Sequence, residues 1–385
     1  MAQHDLLIVG AGPVGLSLAL ALKDSGLAIA LADTRARDAV AADPRALALA
    51  HGSRLTLERL GVWDELPATP IRHIHVSQQG GFGRTRLEAD DYGVPALGYV
   101  VQAGALAAAL RNAVERAGIT VMDQTEVTSL NSNSDSVTAS LAGTGATIHG
   151  TAAGARLVAC AEGGLLAGTP DIVERDYGQH ALIANVGIAG KHRETAFERF
   201  TSEGPIALLP HGDEYALVHV ASPQRATELL ALPDDAYREH LQRRFGSRVQ
   251  LARVTGRLRY PLVLRYRRDP VGPRTAWLGN AAQTLHPVAG QGFNLAVRDV
   301  WALARTLLDH RGDPGLTGTL AAWRDARRLD RFGAINFTDI LVRIFSNDFV
   351  PLHHARGAAL FALDMLPPLR HFIARRMMFG ARAWP

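Results

Sequence analysis

The stretch DLLIVGAGPVG, residues 5–15, decides the fold. Its apolar run ends at Gly10 and is typical of a buried parallel strand. Pro13 then opens a segment of helical character that stops before Gly26, a residue type that commonly follows the end of a helix. The next apolar run, residues 27–33, predicts a second buried strand. Together these segments predict a β-α-β unit at the start of the sequence.

Three glycines, Gly10, Gly12 and Gly15, give this unit the pattern GxGxxG. The first permits the tight turn, the second lets a pyrophosphate approach the backbone, and the third lets helix and strand pack closely. The positive end of the helix then faces the phosphates. Asp33 ends the second strand, where an acid would bind a ribose hydroxyl. This context favours a dinucleotide over a glycine turn without a ligand, but it does not separate NAD from FAD.

A second glycine-rich segment, GNAAQTLHPVAGQGFNL, occupies residues 279–295. A short apolar strand, 275–279, leads into this bend, and a long helix, 291–310, follows it. The bend either presents backbone N–H groups to a polar or anionic ligand, or needs glycine only for close packing at the helix start. The spacing of the glycines in the bend favours neither of these two interpretations. His286 in the bend is a candidate acid/base group, although packing within the bend is the favoured interpretation.

The composition excludes several classes of protein. The chain has 385 residues with 41 Lys or Arg and 37 Asp or Glu, and this small excess carries no basic reading motif, so we expect no nucleic-acid partner. The single cysteine, Cys160, forbids an intrachain disulfide, and no spacing of ligand residues suggests a metal site. Glycines interrupt the uncharged run at residues 6–22, which we interpret as strand, turn and helix instead of a membrane span. With no signal-peptide pattern at the start, we expect a cytoplasmic protein.

The order of predicted elements indicates two interleaved domains. We predict helices over 43–60, 100–117 and 224–245, hairpins over 119–160 and strands over 180–220. The expected fold is α/β (α+β), with a Rossmann-like nucleotide-binding domain interleaved with a β-sheet substrate domain. The expected boundaries give 1–75, 101–178 and 271–330 to the first domain, 76–100 and 179–270 to the second, and 331–385 to a C-terminal helical region.

Several segments together resemble one enzyme family. Residues 10–15, DPRALAL at 43–49, and the bend at 279–295 are similar to FAD-dependent aromatic hydroxylases with the para-hydroxybenzoate hydroxylase fold. The bend resembles more narrowly the ubiquinone-biosynthesis hydroxylases, and its Gln283-Thr284-Leu285 version is most similar to the 2-octaprenyl-6-methoxyphenol hydroxylases. The resemblance extends over nearly the whole chain, from about residue 6 to about residue 352.

The resemblance implies FAD as the cofactor, held by the first glycine loop at its pyrophosphate and by the bend at its isoalloxazine. Asn280 stands where relatives usually carry Asp toward the ribityl chain, and His286 and Pro287 are the candidates beside the reacting ring. Arg45 would reach the cofactor phosphates, and the alternative is a surface arginine on a helix. Gln102 would lie beside the cofactor, and the alternative is a solvated helix cap. The implied cofactor-binding residues are Gly10, Gly12, Pro13, Val14, Gly15, Asp33, Arg45, Gln102, Glu162, Gly279, Asn280, Pro287, Gly290, Gln291, Gly292, Phe293 and Asn294.

The resemblance also implies a reaction. NAD(P)H would act as a transient reductant of the flavin, O2 would add to give a C4a-hydroperoxide, and a hydrophobic prenylated phenol would take up the distal oxygen. No protein nucleophile is required. Two alternatives stay open: a different aromatic substrate or ring position, and a non-catalytic flavin-binding scaffold in a biosynthetic complex.

One segment departs from the pattern of the family. Such hydroxylases usually carry Asp-Gly, then Ser and often Arg, after the strand that ends near Cys160, whereas this chain has Glu162-Gly163-Gly164. Glu162 keeps the negative charge on a longer side chain, which leaves the identity of the electron donor open. We interpret Cys160 itself as a small buried hydrophobic residue.

The basic excess lies in the tail. Residues 331–385 contain seven arginines and three aspartates, which account for the whole net charge of +4. Ile340, Leu341, Ile344 and Phe345 accompany these arginines at helical spacing. The tail therefore either contacts the inner face of a membrane or other ubiquinone-biosynthesis proteins, or forms helices that cap the core. The sequence favours neither alternative.

Overall fold

The structure is a computed structural model that describes residues 4–144, 151–164, 171–345 and 350–381. Its strands form three sheets: a mainly parallel sheet built on the N-terminal strand, a large antiparallel sheet, and a small three-stranded sheet. Part of the predicted hairpin region, residues 145–150, lies outside the described residues, as does the side chain of Phe345.

The elements follow one another in a mixed order. Helices α1 to α10 of the described residues span Pro13–Ala21, Arg37–Ala41, His51–Arg59, Ala103–Arg116, Pro223–Ala231, Asp234–Phe245, Gln291–Asp309, Thr317–Phe345, Val350–Met365 and Pro367–Phe379. Strands β1 to β19 span His4–Val9, Ile29–Ala32, Ala46–Ala50, Thr69–Ile71, His73–Gln78, Arg84–Glu88, Gly98–Gln102, Thr120–Met122, Thr125–Ser132, Val137–Gly143, Ala152–Cys160, Ile172–Ile188, Thr195–Thr201, Gly204–His211, Glu214–Ala221, Leu251–Arg267, Val271–Gly272, Thr275–Trp277 and Gln283–Thr284.

The first sheet has the order β17-β18-β11-β1-β2-β8, and the hairpin of β9 and β10 extends it from β11. Strand β1 is parallel to both β2 and β11, so the strand order reverses at β1. An open α/β sheet binds its ligand at such a point, in the crevice at the carboxyl ends of the strands. Apolar residues of α1, α4 and α7, among them Leu16, Leu106 and Val300, pack in its core. The predicted β-α-β unit and the Rossmann-like domain are confirmed.

The second sheet has the order β19-β16-β12-β15-β14-β13-β5-β6 and is called the substrate sheet below. One face packs against α5 and α6, with Tyr237 and Phe245 fully buried between them. On the opposite face, Phe200 contacts Val288, which lies in the 279–295 bend. The bend therefore connects the nucleotide-binding sheet with the substrate sheet.

The small sheet, in the order β3-β7-β4, corrects two helix predictions. Residues 46–50 form β3 instead of the start of a helix over 43–60, and α3 begins only at His51. Residues 98–102 likewise form β7 before α4 begins. The sequence Ala-Leu-Ala-Leu-Ala favours a helix by intrinsic propensity, but it also alternates, and antiparallel pairing of β3 with β7 outweighs that propensity.

The C-terminal helices begin earlier than expected, because α8 starts at Thr317 and runs through residue 331. Val342 of α8 and Leu360 of α9 are buried against the substrate sheet, and Met378 of α10 is buried beside Leu97. The expected boundaries at 75/76 and 178/179 also fall inside continuous strands, β5 and β12. Among the described helices, none has the length and hydropathy that a bilayer crossing requires.

Buried ion pairs fix α8 on α7. The Arg327 guanidinium donates to Asp299 at 2.7 Å and to Asp330 at 2.6 Å, and Arg298 donates to Asp330 at 2.7 Å. Asp299 also accepts a hydrogen bond from Gln283 at 2.9 Å, which ties β19 to the same cluster. Burial acts to raise the pKa of Asp330, but the charges of Arg298 and Arg327 outweigh it and lower the pKa to about 2. Asp330 therefore stays ionised at neutral pH.

Replacing Arg327 by methionine should lower the free energy of unfolding by about 3–5 kcal/mol, because the buried carboxylates of Asp299 and Asp330 lose their shared partner. Urea denaturation followed by circular dichroism measures this change. The control is Arg324→Met, which removes an exposed arginine of the same helix and should cost at most about 1 kcal/mol. Equal losses in the two variants would contradict the assignment.

Candidate active site

The first glycine loop forms a cradle without side chains. Gly10 has a φ of 106°, and a Cβ there would lie 2.7 Å from the backbone nitrogen of Glu162. A Cβ on Gly15 would lie 1.9 Å from the Gly10 carbonyl oxygen, so only glycine lets α1 approach β1 this closely. A Cβ on Gly12 would meet only the Arg35 side chain, at 3.5 Å. Helix α1 starts without a side-chain cap, which leaves its N-terminus suited to a phosphate.

Asp33 supports this loop from the end of β2. Its carboxylate accepts hydrogen bonds from the Ala11 N–H at 2.7 Å and from the Arg35 guanidinium at 2.8 and 2.9 Å. Burial acts to raise the pKa of Asp33, but the bonds from Arg35 and Ala11 outweigh it and lower the pKa. Asp33 is therefore ionised and already partnered. Arg35 is half exposed at the mouth of the loop. The sequence analysis did not predict it as a site residue, although its position two residues after Asp33 could have indicated the contact.

A pocket of about 260 Å³ opens at the carboxyl ends of β1, β2 and β11. Gly10, Asp33, Arg35 and Glu162 are among its lining residues, and its position suits the adenosine ribose. Burial raises the pKa of Glu162, and the charges of Asp33 and Glu126 raise it further. Glu162 thus lines the same pocket as Asp33 and Arg35.

Arg45 and Gln102 lie together at the paired ends of β3 and β7. Residue Ala46 pairs with Gln102 in the small sheet, and the Arg45 carbonyl accepts a hydrogen bond from the Ala103 N–H at 2.8 Å. The half-exposed guanidinium of Arg45 donates to Asp43 at 2.6 Å. Arg45 precedes a strand, so the alternative of a helix-surface arginine is wrong. Gln102 is the exposed N-cap residue of α4, and its side chain makes no cap hydrogen bond, so its predicted place beside the cofactor stays a prediction.

The 279–295 bend packs directly on the first glycine loop. Gly279 has a φ of 58°, and a Cβ there would lie 3.0 Å from Cγ2 of Val14. Asn280 follows as an exposed residue, and Gly290, also at a φ of 58°, is the N-cap of α7. Among the described residues, apart from its chain neighbours and its own helix backbone, no atom lies within 4 Å of where a Cβ on Gly292 would be. The start of α7 therefore offers open space and a helix N-terminus without a side-chain cap.

Asn294 holds the bend in place. Its Oδ1 accepts hydrogen bonds from the Ala50 N–H and the Ser53 hydroxyl, both at 2.7 Å. Its Nδ2 donates to the carbonyls of Ala48 at 2.8 Å and Gly290 at 2.6 Å. All the hydrogen-bonding capacity of this amide is thus used within the protein. We assign Asn294 to positioning the bend on β3 and α3.

The other predicted residues of the bend differ in exposure. Pro287 is exposed and Gln291 is buried, while Phe293 is half-buried and packs on the core of the nucleotide-binding sheet. The structure therefore places Gly279 and Asn280 in a turn before β19, Pro287 and Gly290 in the turn before α7, and residues 291–294 in the first turn of α7.

His286 is buried within the bend. Its Nδ1 accepts a hydrogen bond from the Val288 N–H at 3.1 Å, and its ring meets Tyr177 edge to face at 5.6 Å. Burial lowers the pKa of His286 to about 4, so the imidazole is neutral at physiological pH. Its buried Nε2 has no hydrogen-bond partner. This geometry supports the interpretation that His286 packs within the bend. Its Nδ1 is used in that packing, and Nε2 is the ring atom that is left for a further hydrogen bond.

Cys160 ends β11 as a buried free thiol, and burial raises its pKa to about 12, which makes it unreactive as a thiolate. Within the described ranges, no three His, Cys, Asp or Glu side chains are grouped as metal ligands would be.

Known proteins share both the sequence and the fold. The FAD binding domain family matches residues 3–329. The chain belongs to this family. The ubiquinone hydroxylase UbiL of Rhodospirillum rubrum is 34% identical, with 99% of this chain and 91% of the relative covered. The 3-demethoxyubiquinol 3-hydroxylase of Escherichia coli is 29% identical, with 94% of each chain covered.

Solved structures confirm the fold expected from the resemblance. The p-nitrophenol 4-monooxygenase of Pseudomonas putida superposes with a TM-score of 0.76 at 17% identity, covering 98% of each chain. HpxO of Klebsiella pneumoniae, in complex with FAD and uric acid, gives a TM-score of 0.74 at 18% identity over 100% of this chain and 98% of that chain. The side-chain-free loop, the ribose pocket and the open start of α7 fit FAD. The chain is an FAD-dependent monooxygenase.

Replacing Gly12 by alanine should weaken FAD binding at least about tenfold, because the new methyl group fits the protein but occupies the space through which the pyrophosphate approaches the backbone. The unfolding temperature of the FAD-free protein should stay unchanged. Titration by flavin fluorescence measures the affinity, and Gly318→Ala, at an open position of α8, is the control. Wild-type affinity in the Gly12 variant would show that this loop does not contact the cofactor.

Proposed function

We propose that this chain hydroxylates the ring of a polyprenylated phenol in ubiquinone biosynthesis, with FAD as cofactor, NAD(P)H as reductant and O2 as second substrate. The 279–295 bend carries the proposal. It packs on the FAD loop through Gly279 and on the substrate sheet through Val288, so it lies where a flavin and a substrate ring would meet. The names of the two relatives, both ubiquinone-pathway hydroxylases, support the choice of pathway.

The surroundings of the bend suit a hydrophobic substrate. Val288 packs with Phe200 of the substrate sheet, Val342 of α8 and Leu360 of α9. A prenyl chain gains about 25 cal/mol for each Å² of apolar surface that it buries against such a wall. The same wall keeps water away from the reacting ring.

Bound FAD supplies the redox chemistry and the activated oxygen. The protein supplies orientation and electrostatics. The uncapped N-terminus of α7 offers a positive dipole end for negative charge on the reduced cofactor, and Asn294 keeps that helix start on β3. His286 is neutral and adds no charge to the ring end of the site.

The FAD-loaded enzyme should oxidise NAD(P)H several-fold faster when a short-chain prenylated methoxyphenol is present, and mass spectrometry should find one added oxygen in the product. The matched control is the same phenol without the prenyl group, which should react more slowly because it forgoes the apolar contacts. Faster turnover of the unprenylated phenol would favour a different aromatic substrate. No substrate-dependent oxidation with either phenol would contradict the proposal, and a deletion strain that accumulates a prenylated methoxyphenol would support it.

We further propose that the junction of α9 and α10 rests on an anionic lipid surface, which would place the enzyme at the inner face of the membrane. The inward faces of these helices are buried, but their outward side exposes large apolar residues next to the exposed Arg375. These apolar residues are Phe361, Met365, Leu366, Leu369 and Phe372. Burial of apolar groups plus about 1 kcal/mol for each nearby arginine would drive such binding.

The double variant Leu369→Glu with Phe372→Glu should bind anionic liposomes at least about tenfold more weakly, because two exposed apolar side chains that would enter the lipid become negatively charged. Co-sedimentation with phosphatidylglycerol vesicles measures binding, and flavin content checks the fold. The control is Leu308→Glu on exposed α7 surface. Unchanged binding would mean that the helices only cap the core or meet a protein partner. Deleting the tail is unsuitable, since the Ala381 N–H donates to the buried Asp330 at 2.8 Å.

A further inference from the structure

Glu198 lies in β13, on the face of the substrate sheet that is turned toward the bend. Side chains alternate between the two faces of a strand. Phe197 packs with the core beneath α5 and α6, whereas Phe200 packs with Val288 of the bend. Ala196, two residues before Glu198, packs on the small sheet. Glu198 therefore points to the same side as Ala196 and Phe200.

The immediate neighbours of Glu198 in the sheet are apolar. It pairs with Val76 of β5 on one side and with Ala207 of β14 on the other. Among the described residues, its carboxylate has no hydrogen bond and no ion pair, and burial alone raises its pKa to about 7. Protein surrounds the residue, yet part of its surface stays accessible. An unpaired carboxylate that is surrounded by protein but still partly accessible is expected of a residue on the wall of a cleft.

The titratable groups of the elements packed on this face do not compensate the carboxylate. His286 of the bend is neutral, and Asp339 of α8 is occupied by the Tyr177 hydroxyl and Arg175. Of the groups in the described part of the chain, none shifts the pKa of Glu198 by its charge.

An unpaired carboxyl in an apolar wall lowers stability, because partial burial removes much of the water that would solvate it and no cation of the described residues replaces that water. Such perturbed groups cluster at functional sites, where a ligand provides the missing partner. The ligand group that fits must donate a hydrogen bond to a carboxylate. In a site that binds a phenol, the phenol hydroxyl is that group.

We propose that Glu198 is a catalytic residue that accepts the proton of the substrate phenol, an inference that rests on the proposed ring hydroxylation. The O–H bond breaks, its electron pair stays on the ring oxygen, and the proton bonds to a carboxylate oxygen of Glu198. The more electron-rich ring then takes up the oxygen atom that the monooxygenase reaction supplies. The attacked carbon then loses its hydrogen as a proton to solvent water, the C–H electron pair restores the aromaticity of the ring, and Glu198 returns its proton to the ring oxygen.

Replacing Glu198 by glutamine in the FAD-loaded enzyme should lower kcat for a short-chain prenylated phenol about 100-fold at pH 7, with KM changed by less than about threefold. The rate of the variant should rise with pH toward the ionisation of the free phenol, near pH 10. A nitro-substituted prenylated phenol, already ionised at pH 7, should restore most of the rate. The control is Glu174→Gln, an exposed glutamate of the same sheet. Wild-type rate and pH profile in the Glu198 variant would overturn the proposal.

A second variant separates this role from a structural one and needs no turnover. Glu198→Leu should unfold at the same or a higher temperature than wild type, since it removes an unpaired carboxyl. Wild type should bind the prenylated phenol at least about tenfold more tightly than its O-methyl ether, and the leucine variant should bind the two equally. Lower stability with retained preference for the phenol would overturn the proposal. If wild type turns over no phenol, the proposed function fails, while this binding comparison still tests Glu198.

Discussion

Helix α1 can lie against β1 only because Gly15 has no side chain; a Cβ there would lie 1.9 Å from the Gly10 carbonyl oxygen. The first turn of that helix also supports the second loop, since Gly279 rests on Val14. One backbone contact thus sets the separation of the first glycine loop and the 279–295 bend. Through Val288, the same contact fixes how the bend meets the substrate sheet.

The two ends of the site have opposite electrostatic character. At the end beside the first glycine loop, Asp33 and Glu162 share a pocket with the Arg35 guanidinium. At the ring end, the neutral His286 and the apolar wall around Val288 provide no charge. In such a low-dielectric region each remaining charge acts over a longer range, so a helix dipole or one carboxylate has more influence there than it would at the surface. The charged end suits binding, and the uncharged end suits reaction.

The parts of the fold that the sequence predicted are local in the chain. The GxGxxG loop, β1, α1 and α7 follow from spacing within about 20 residues, and the family resemblance supplied the cofactor and the fold. Strand β3, which the sequence analysis predicted as part of a helix, depends on pairing with β7, about 50 residues away. The amide of Asn294 bonds to Ala48, 246 residues earlier, and no spacing rule reveals that contact. Glu198 was missed because both faces of its strand are covered, so alternation alone does not show which face holds a site.

The order of strands in the first sheet also determines how the chain reaches this structure. Strand β1 pairs with β2, which follows about 20 residues later, but its other neighbour β11 follows only about 150 residues later, and β18 beyond it follows more than 260 residues later. Such non-local pairing is slow, because a long loop must close before any contact stabilises it. During synthesis the apolar β1 and α1 therefore stay without their sheet, a state that favours aggregation and chaperone binding. The first glycine loop is made more than 260 residues before the 279–295 bend that packs on it through Gly279, so the two segments can come together only late in synthesis.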